Sequence, residues 1–328
     1  MSTTDTPIEA FAFEAHRLMT THPPVWHDPN KLVVHEIACP PGCRHGGQIT
    51  YTRWRVMPLP ERFVPMGTVQ RTERREDVYD YEPVRVVEDA MEWHVNFADP
   101  DLFVAYGSEL FAQDEIQVAE HPVLGALREA LTAQGVSART EETGRPTPVL
   151  IMGAERRCRV ATDRNANLGR PYGLYGNVFA TASADAVRRA TFRVEPPTLT
   201  NLIAMAAPCG GQGLYTLAEI ERVVTTAFTG FRAATLQAGQ APTVVHTGFW
   251  GCGAFGGNRV LMALLQVLAA KMAGLERLVF HTVDAAGSRA FDAALGAIEE
   301  LAESPLNTRP LLDRIKATGF EWGVSDGN

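Results

Sequence analysis

The residues best suited to chemistry fall in two places. Asp114 and Glu115 are adjacent acids preceded by Gln113. A carboxylic acid can protonate a leaving atom, and its conjugate base can then activate water. Adjacent acids also have a plain structural use at a helix start, where they favour the positive end of the dipole. The second place is His246–Gly257, HTGFWGCGAFGG. Glycines let backbone N–H groups approach a ligand closely, and a helix N-terminus adds partial positive charge. Together they make a diphosphate cradle. Most glycine clusters are only turns, but five glycines packed with Trp250 and Phe255 exceed what a turn requires.

The flanking periodicities supply elements to hold both places. Thr243–Thr247 reads as a strand entering the glycine loop, and Asn258–Ala273 as a helix leaving it. Trp93–Phe97 is a strand before the acids. His121–Gln134 is a helix with Leu124, Leu127 and Leu131 at helical spacing and Gly135 as its stop. Thr216–Gln237 is a helix opened by a capping box of Thr216 and Glu219. Further strands are expected at Ile49–Val56, Val149–Met152, Arg193–Glu195, Leu202–Ala207 and Leu278–Val283. Further helices are expected at Ser288–Ala302 and Arg309–Thr318, and a loop at Asp163–Asn177. Strands alternating with helices imply an α/β fold, a mixed or parallel sheet with helices on both faces. Ligands bind such sheets at the carboxyl ends of the strands.

The glycine loop resembles a segment of the poly(ADP-ribose) glycohydrolase family, T-G-N-W-G-C-G-A-F-G-G followed by an apolar helix. The likeness runs through Thr247, Gly248, Trp250, Gly251, Cys252, Gly253, Ala254, Phe255, Gly256 and Gly257, with Phe249 in place of Asn. Val95–Gln117 is similar to the same family's signature, a strand ending V-D-F-A-N, a Gly triplet and Gln-Glu-Glu, and the spacing fits without a gap. The departures are Asn96 for Asp, Asp99 for Asn, Phe103-Val104-Ala105 for the triplet, and Asp114 for the first Glu. The resemblance implies a macrodomain-like three-layer fold and an ADP-ribosyl glycohydrolase. Its ligand would be ADP-ribose or an ADP-ribosylated substrate, with no cofactor. It implies Glu115 as the catalytic acid and base, Asp114 on ribose hydroxyls, and Gln113, Asn96 and Asp99 around them. Gly248 and Gly251–Gly257 would hold the diphosphate, with Phe255 beside the ribose, and Tyr175 (or Tyr172) would lie against adenine. A non-catalytic ADP-ribose reader is the alternative, because side chains at 103–105 would reshape the pocket. An NAD-dependent oxidoreductase is a third reading. It rests on Gly251, Gly253 and Gly256 as G-x-G-x-x-G with Asp284 closing the next strand, though too few strands follow to complete that fold.

The remaining features bound the answer. In 328 residues with 45% hydrophobic composition, the organisation expected is an N-terminal accessory region over residues 1–90, as a subdomain or a wrap around the main domain at 91–328. The net charge of −8 argues against a general nucleic-acid binder, which needs Lys and Arg to replace counterions. No apolar run suits a membrane helix, and the N-terminus lacks a secretory pattern. Five scattered cysteines argue against a disulfide framework, so a cytoplasmic protein is expected. The charged stretch Glu73–Tyr81 reads as a solvated face or loop. Cys39-Pro-Pro-Gly-Cys43, with His35 and His45 nearby, lacks common zinc-knuckle spacing, so a Pro-Gly turn is expected and no metal. Cys252 lacks an identifiable base to make it a nucleophile. His246 and His281, at strand ends, could line the cleft, although a lone histidine in such a place is more often simply hydrogen-bonded.

Overall fold

A computed structural model describes residues 6–63, 71–84, 87–301, 306–325 and 327. In chain order the elements are β1 (Pro7–Glu14), α1 (Ala15–Thr21), α2 (Pro29–Ala38), β2 (Gln48–Trp54), β3 (Arg62–Phe63), β4 (Thr72–Arg75), β5 (Met91–Ala98), α3 (Gln113–Glu120) and α4 (Val123–Ala133). There follow β6 (Glu141–Glu142), β7 (Arg145–Pro146), β8 (Val149–Val160), α5 (Ala184–Ala190), β9 (Thr191–Ala206), α6 (Leu217–Ala238), β10 (Thr243–Thr247) and α7 (Arg259–Ala273). The last are β11 (Arg277–His281), α8 (Ala285–Leu301), β12 (Leu306–Asn307) and α9 (Thr308–Ala317).

Among the described residues the main sheet runs β1-β2-β8-β9-β5-β10-β11-β4. Neighbours from β9 to β4 pair in parallel, and those from β1 to β9 antiparallel. This is the mixed α/β sheet that the sequence led us to expect. The carboxyl ends of β9, β5, β10 and β11 therefore share one edge.

Side chains alternate across a strand, and the core follows that alternation. Leu150, Ile203, Met205, Trp93, Val95 and Val245 pack with α6, α7, α8 and α9 on one face. Val149, Ile151, Leu202 and Ala204 pack with α1 and α4 on the other. Leu261 through Ala270 of α7 are buried without a break, as befits a helix wedged between the sheet and its helical neighbours. The Thr216–Glu219 capping box opens α6 as read from sequence.

Several boundaries differ from the sequence reading. Val149–Met152 is only the start of β8, and Arg193–Glu195 and Leu202–Ala207 are parts of the single strand β9. Asp163–Asn177 holds a short 3-10 turn at Ala166–Leu168. Residues before 90 supply both edges of the sheet, β1 with β2 on one side and β4 on the other. The Glu73–Tyr81 stretch is not simply solvated. It contains most of β4, and its tyrosines cover the sheet, Tyr81 stacking on His94 at 4.5 Å between ring centroids. The aromatic rings need burial, and the charges sit between them.

His246 and His281 do not line a cleft. Both are buried, with His246 Nδ1 3.2 Å from His281 Nε2. Glu92 Oε2 lies 2.9 Å from His246 Nε2, and Asp77 Oδ1 lies 3.0 Å from His281 Nδ1. Alternation explains this. Val245 and Phe280 point to the apolar face, so the adjacent histidines point to the face covered by Tyr79, whose ring meets that of His281 edge-on. Burial, then the neighbouring His246, pushes His281 down to about 4.

Candidate active site

The chain leaves β5 at Ala98, crosses a series of turns and enters α3 at Gln113. Gln113 ties the two elements together. Its Oε1 accepts from Phe97 N at 2.8 Å, and its Nε2 donates to Val95 O at 3.0 Å. Asn96 points from β5 to the same place, donating from Nδ2 to Asp114 Oδ1 at 3.0 Å and to Gln117 Oε1 at 2.9 Å. Glu115, the third residue of α3, reaches back so that Oε2 accepts from Ala112 N at 3.0 Å. Asp99 Oδ1 accepts from Asp101 N at 2.9 Å, which fixes the first turn after β5.

Asp114 and Glu115 are both buried, with residue exposures of 6% and 3%. Burial, then the negative charge of Glu115, holds the Asp114 carboxyl well above the usual range. Burial also raises Glu115, against the pull of backbone N–H groups and of Lys31. Two carboxyls side by side away from water disfavour double ionisation, so this corner retains a proton more readily than exposed acids do.

Lys31 was not read from the sequence as a site residue. It is fully buried, its Nζ donates to Tyr106 O at 2.7 Å, and it lies 5.9 Å from the Phe111 ring centroid. Burial lowers it to about 8, opposed by Glu115, Asp28 and Asp114. A signal was present. Asp28 caps α2 ahead of Pro29, and Lys31, Val34 and Ala38 share its buried face. A lysine on an apolar helical stripe requires a charged partner.

Phe103, first of the three residues read against a Gly triplet, has a glycine-like backbone. Phe103 has φ +56, a conformation costing an L residue roughly 1–2 kcal/mol. Its ring is buried in the apolar cluster with Leu102, Tyr106 and α4, which offsets that cost. Val104 is half exposed.

The glycine loop joins the acidic segment at the shared strand edge. A Cβ on Gly248 would stand 3.5 Å from Phe97 Cζ, on the strand end that Gln113 clamps. Trp250 Nε1 donates to Met205 O of β9 at 2.9 Å. Gly257 N donates to Gly251 O at 2.8 Å, and Gly256 N to Gly253 O at 3.0 Å. Gly251 has φ +76, and a Cβ there would lie 2.5 Å from Ala207 Cβ. The loop adjoins α7, whose first turn Asn258 caps through Leu261 N. Phe255 and Cys252 pack against the main core, and Ala254 is exposed. Burial pushes the Cys252 thiol up to about 12, opposed by Arg259, which suits a packed thiol rather than a nucleophile.

The last described residues lie on this loop, an arrangement that sequence did not disclose. A Cβ on Gly256 would meet Ser325 N at 3.2 Å and Gly323 O at 3.3 Å. Trp322 stacks on Tyr215 at 4.3 Å, and Asn258 Nδ2 donates to Glu321 O at 2.9 Å. Asn177 Nδ2 donates to Gly327 O at 3.1 Å, so the segment reaches the Tyr175 loop. Tyr175 itself is partly exposed and precedes Gly176, whose N–H donates to Phe111 O at 2.9 Å. The candidate adenine residue thus stands beside the chain entering α3. Tyr172 is more exposed.

Two other places bear on ligands. A depression of about 570 Å³ lies between β1, β2 and β8, lined by residues such as Phe11, Thr50 and Met152 and by no ionisable side chain. It offers no charged side chain to a diphosphate. Cys39, Cys43 and His45 place their donor atoms within 4.8 Å of one another, so the Pro-Gly segment read as a plain turn also gathers metal-type ligands. Among the described residues, no helix is long and apolar enough to cross a membrane.

The family model for the poly(ADP-ribose) glycohydrolase catalytic domain, Macro domain fold, matches residues 139–289. That span contains the glycine loop and leaves Gln113–Glu115 outside it. The chain is similar to the solved poly(ADP-ribose) glycohydrolase of Thermomonospora curvata, with 17% identity, 88% of this chain and 85% of that chain covered, and a TM-score of 0.45. It is also similar to the Thermomonospora curvata enzyme bound to the inhibitor ADP-HPD, with 19% identity, coverage of 72% and 84%, and a TM-score of 0.46. For the Deinococcus radiodurans poly(ADP-ribose) glycohydrolase in complex with ADP-ribose, the identity is 15%, the coverage 73% and 94%, and the TM-score 0.43. No curated protein matches the sequence. Residues 139–289 are thus similar to the poly(ADP-ribose) glycohydrolase catalytic domain, and they lie in a mixed sheet flanked by helices.

Proposed function

We propose that this chain is an ADP-ribosyl glycohydrolase whose ligand is ADP-ribose or an ADP-ribosylated substrate, with Glu115 as general acid and base. The observation that carries this reading is the buried Glu115 carboxyl, its pKa raised by burial, at the strand edge shared with the glycine loop. An acid that retains its proton nearer neutrality suits protonation of a leaving atom. In the proposed step the bond from ribosyl C1″ to the acceptor atom breaks. Its electron pair stays on that atom, which takes the Glu115 proton. An oxocarbenium-like centre results. Water adds at C1″ and returns a proton to the Glu115 carboxylate. No cofactor is needed for this hydrolysis. Asp114 holds ribose hydroxyls, while Asn96 and Gln113 position it and the strand end. The Gly251–Gly257 loop holds the diphosphate through N–H groups other than those of Cys252, Gly256 and Gly257, which bond to backbone carbonyls of the loop, and Tyr175 flanks the base.

A second reading, an ADP-ribose reader without turnover, is favoured by one observation. Glu115 Oε2 is committed to Ala112 N, the use expected of an acid that only caps its helix. The oxidoreductase reading is weakened because Asp284 Oδ1 accepts from Gly287 N at 2.7 Å, which spends that acid on the start of α8.

Calorimetric titration with ADP-ribose tests the site, comparing wild type with Gly256→Glu and monitoring both by thermal melting. Binding by wild type alone, with both proteins folded, supports the cradle. Release of ADP-ribose from a panel of O- and N-linked ADP-ribosyl substrates, abolished in Glu115→Gln, supports the hydrolase. Binding without release from any of them favours the reader. No binding by wild type sinks both.

A further inference from the structure

We propose that Cys39, Cys43 and His45 form a structural zinc site, backed by Glu155, that fastens the end of α2 to β8. The turn after α2 creates the ligand set. Cys43 N donates to Pro40 O at 3.0 Å, and Gly42 takes φ +80, so the chain doubles back and brings Cys43 to Cys39. Cys39 Sγ then lies 3.7 Å from His45 Nε2. With Zn–S near 2.3 Å and Zn–N near 2.0–2.1 Å, a tetrahedral edge between sulfur and nitrogen is about 3.6 Å. The two donors therefore already stand at the separation that a shared zinc imposes. Two thiolates and an imidazole are a soft set that selects zinc over hard cations.

The surroundings are built as a metal site's are. His45 is buried, and its other ring nitrogen, Nδ1, lies 3.1 Å from Glu155 Oε2. A carboxylate within reach of the second ring nitrogen is the usual partner of a ligating histidine, although His45 Nδ1 makes no aligned hydrogen bond to it here. Glu155 is itself held, accepting from Gly46 N at 2.8 Å and pairing with Arg157. Arg157, also buried, donates from Nε to Ala38 O at 3.2 Å and from Nη1 to Arg44 O at 3.1 Å. These hydrogen bonds bracket the ligand segment on both sides. A Pro-Gly turn alone needs no buried Glu–Arg pair behind it. The fourth position falls to water. Helix α2 carries Lys31 in its first turn, so a metal at its end would hold Lys31 against the acidic corner from the far side.

The test begins with elemental analysis of the full chain, purified without chelator and kept reduced. Equimolar zinc is expected in wild type and its loss in Cys43→Ser. Cobalt(II) added to the metal-free protein should give sulfur-to-metal charge transfer and intense tetrahedral visible bands. Chelation should lower the melting temperature and zinc should restore it. If Cys43→Ser fails to fold, Glu155→Gln serves instead, with zinc affinity about 10–100-fold weaker, the usual cost of removing such a partner. Reduced wild type that neither carries zinc nor takes up cobalt overturns the proposal. So does a cobalt spectrum without thiolate bands, or equimolar zinc retained by folded Cys43→Ser.

Discussion

The glycine loop after β10 is held by its own backbone. Gly257 donates to Gly251, Gly256 to Gly253, and the close approaches leave no room for a Cβ at 251 or 257. The acidic start of α3 is held by side chains instead, with Gln113 of α3, Asn96 of β5 and Lys31 of α2 surrounding two carboxyls. The loop is therefore shaped by omission. The acidic corner is shaped by polar contacts and carries strain in its charges. Substitutions in the loop should act through shape, and substitutions in the corner through protonation.

The largest effect is expected at Glu115. Replacing it with Gln keeps size and hydrogen-bonding capacity and removes the transferable proton, so release of ADP-ribose should fall by about 10²–10⁴-fold. Affinity for ADP-ribose should change little. A variant that loses affinity and rate in parallel would make Glu115 a binding residue and blur the contrast with the loop.

Gly251→Ala comes next and works by shape alone. At φ +76 the new Cβ would meet Ala207 at 2.5 Å, so a loss of about 2–3 kcal/mol is expected from strain and overpacking together. Urea unfolding would measure it. A loss below about 0.5 kcal/mol would mean that the loop is softer than its packing indicates.

Asp114→Asn should move stability the other way. A carboxyl whose folded pKa is raised contributes stability that is present below its unfolded pKa, near 3.9, and is lost as pH rises through the folded value. Removing it relieves the loss above that range. The variant should therefore be more stable than wild type by about 0.5–2 kcal/mol at pH 8, with the gap closing toward pH 4. Melting temperatures at both pH values decide this, and a gap independent of pH would place the effect outside protonation.

Lys31→Met tests the same corner through its cation. Lys31 is lowered to about 8, so its charge fades within an accessible range, and a wild-type rate limb is expected there. The variant should lose that limb, and its Glu115 limb should move up, since a charge that favoured the carboxylate is gone. Superimposable pH–rate profiles would separate Lys31 from the site.

How much of this was legible follows from locality. The glycine loop, its strand and its helix are contiguous, so their order could be read directly. The acids and β5 lie about one turn-rich loop apart, and family-like spacing carried them. β8 was cut short because its apolar run stops at Met152 while the strand continues through Glu155, Arg156 and Arg157. Those charges are buried as ion pairs, Arg156 with Glu120 and Arg157 with Glu155, and a hydrophobic period cannot register them. Lys31 against Glu115, and the histidines beneath Tyr79, are tertiary juxtapositions of the same kind. Cys39, Cys43 and His45 are close in sequence, yet what makes them a cluster is the Glu155–Arg157 pair more than a hundred residues away.

The smallest expected effect concerns the segment lying on the loop. Trp322 stacks on Tyr215, and Gly323–Ser325 pass Gly256, where a diphosphate would have to approach the backbone. Ending the chain after Glu321 removes the stacked ring, worth about 0.5–1.5 kcal/mol, and frees the face of Gly256. If the segment competes with ligand, ADP-ribose should bind the shortened protein up to about tenfold more tightly, since 1.4 kcal/mol is one decade, and the loop should need no other change because its own backbone holds it. Weaker binding would make the segment a wall of the site, and the loop would then depend on a distant part of the chain much as the acidic corner does.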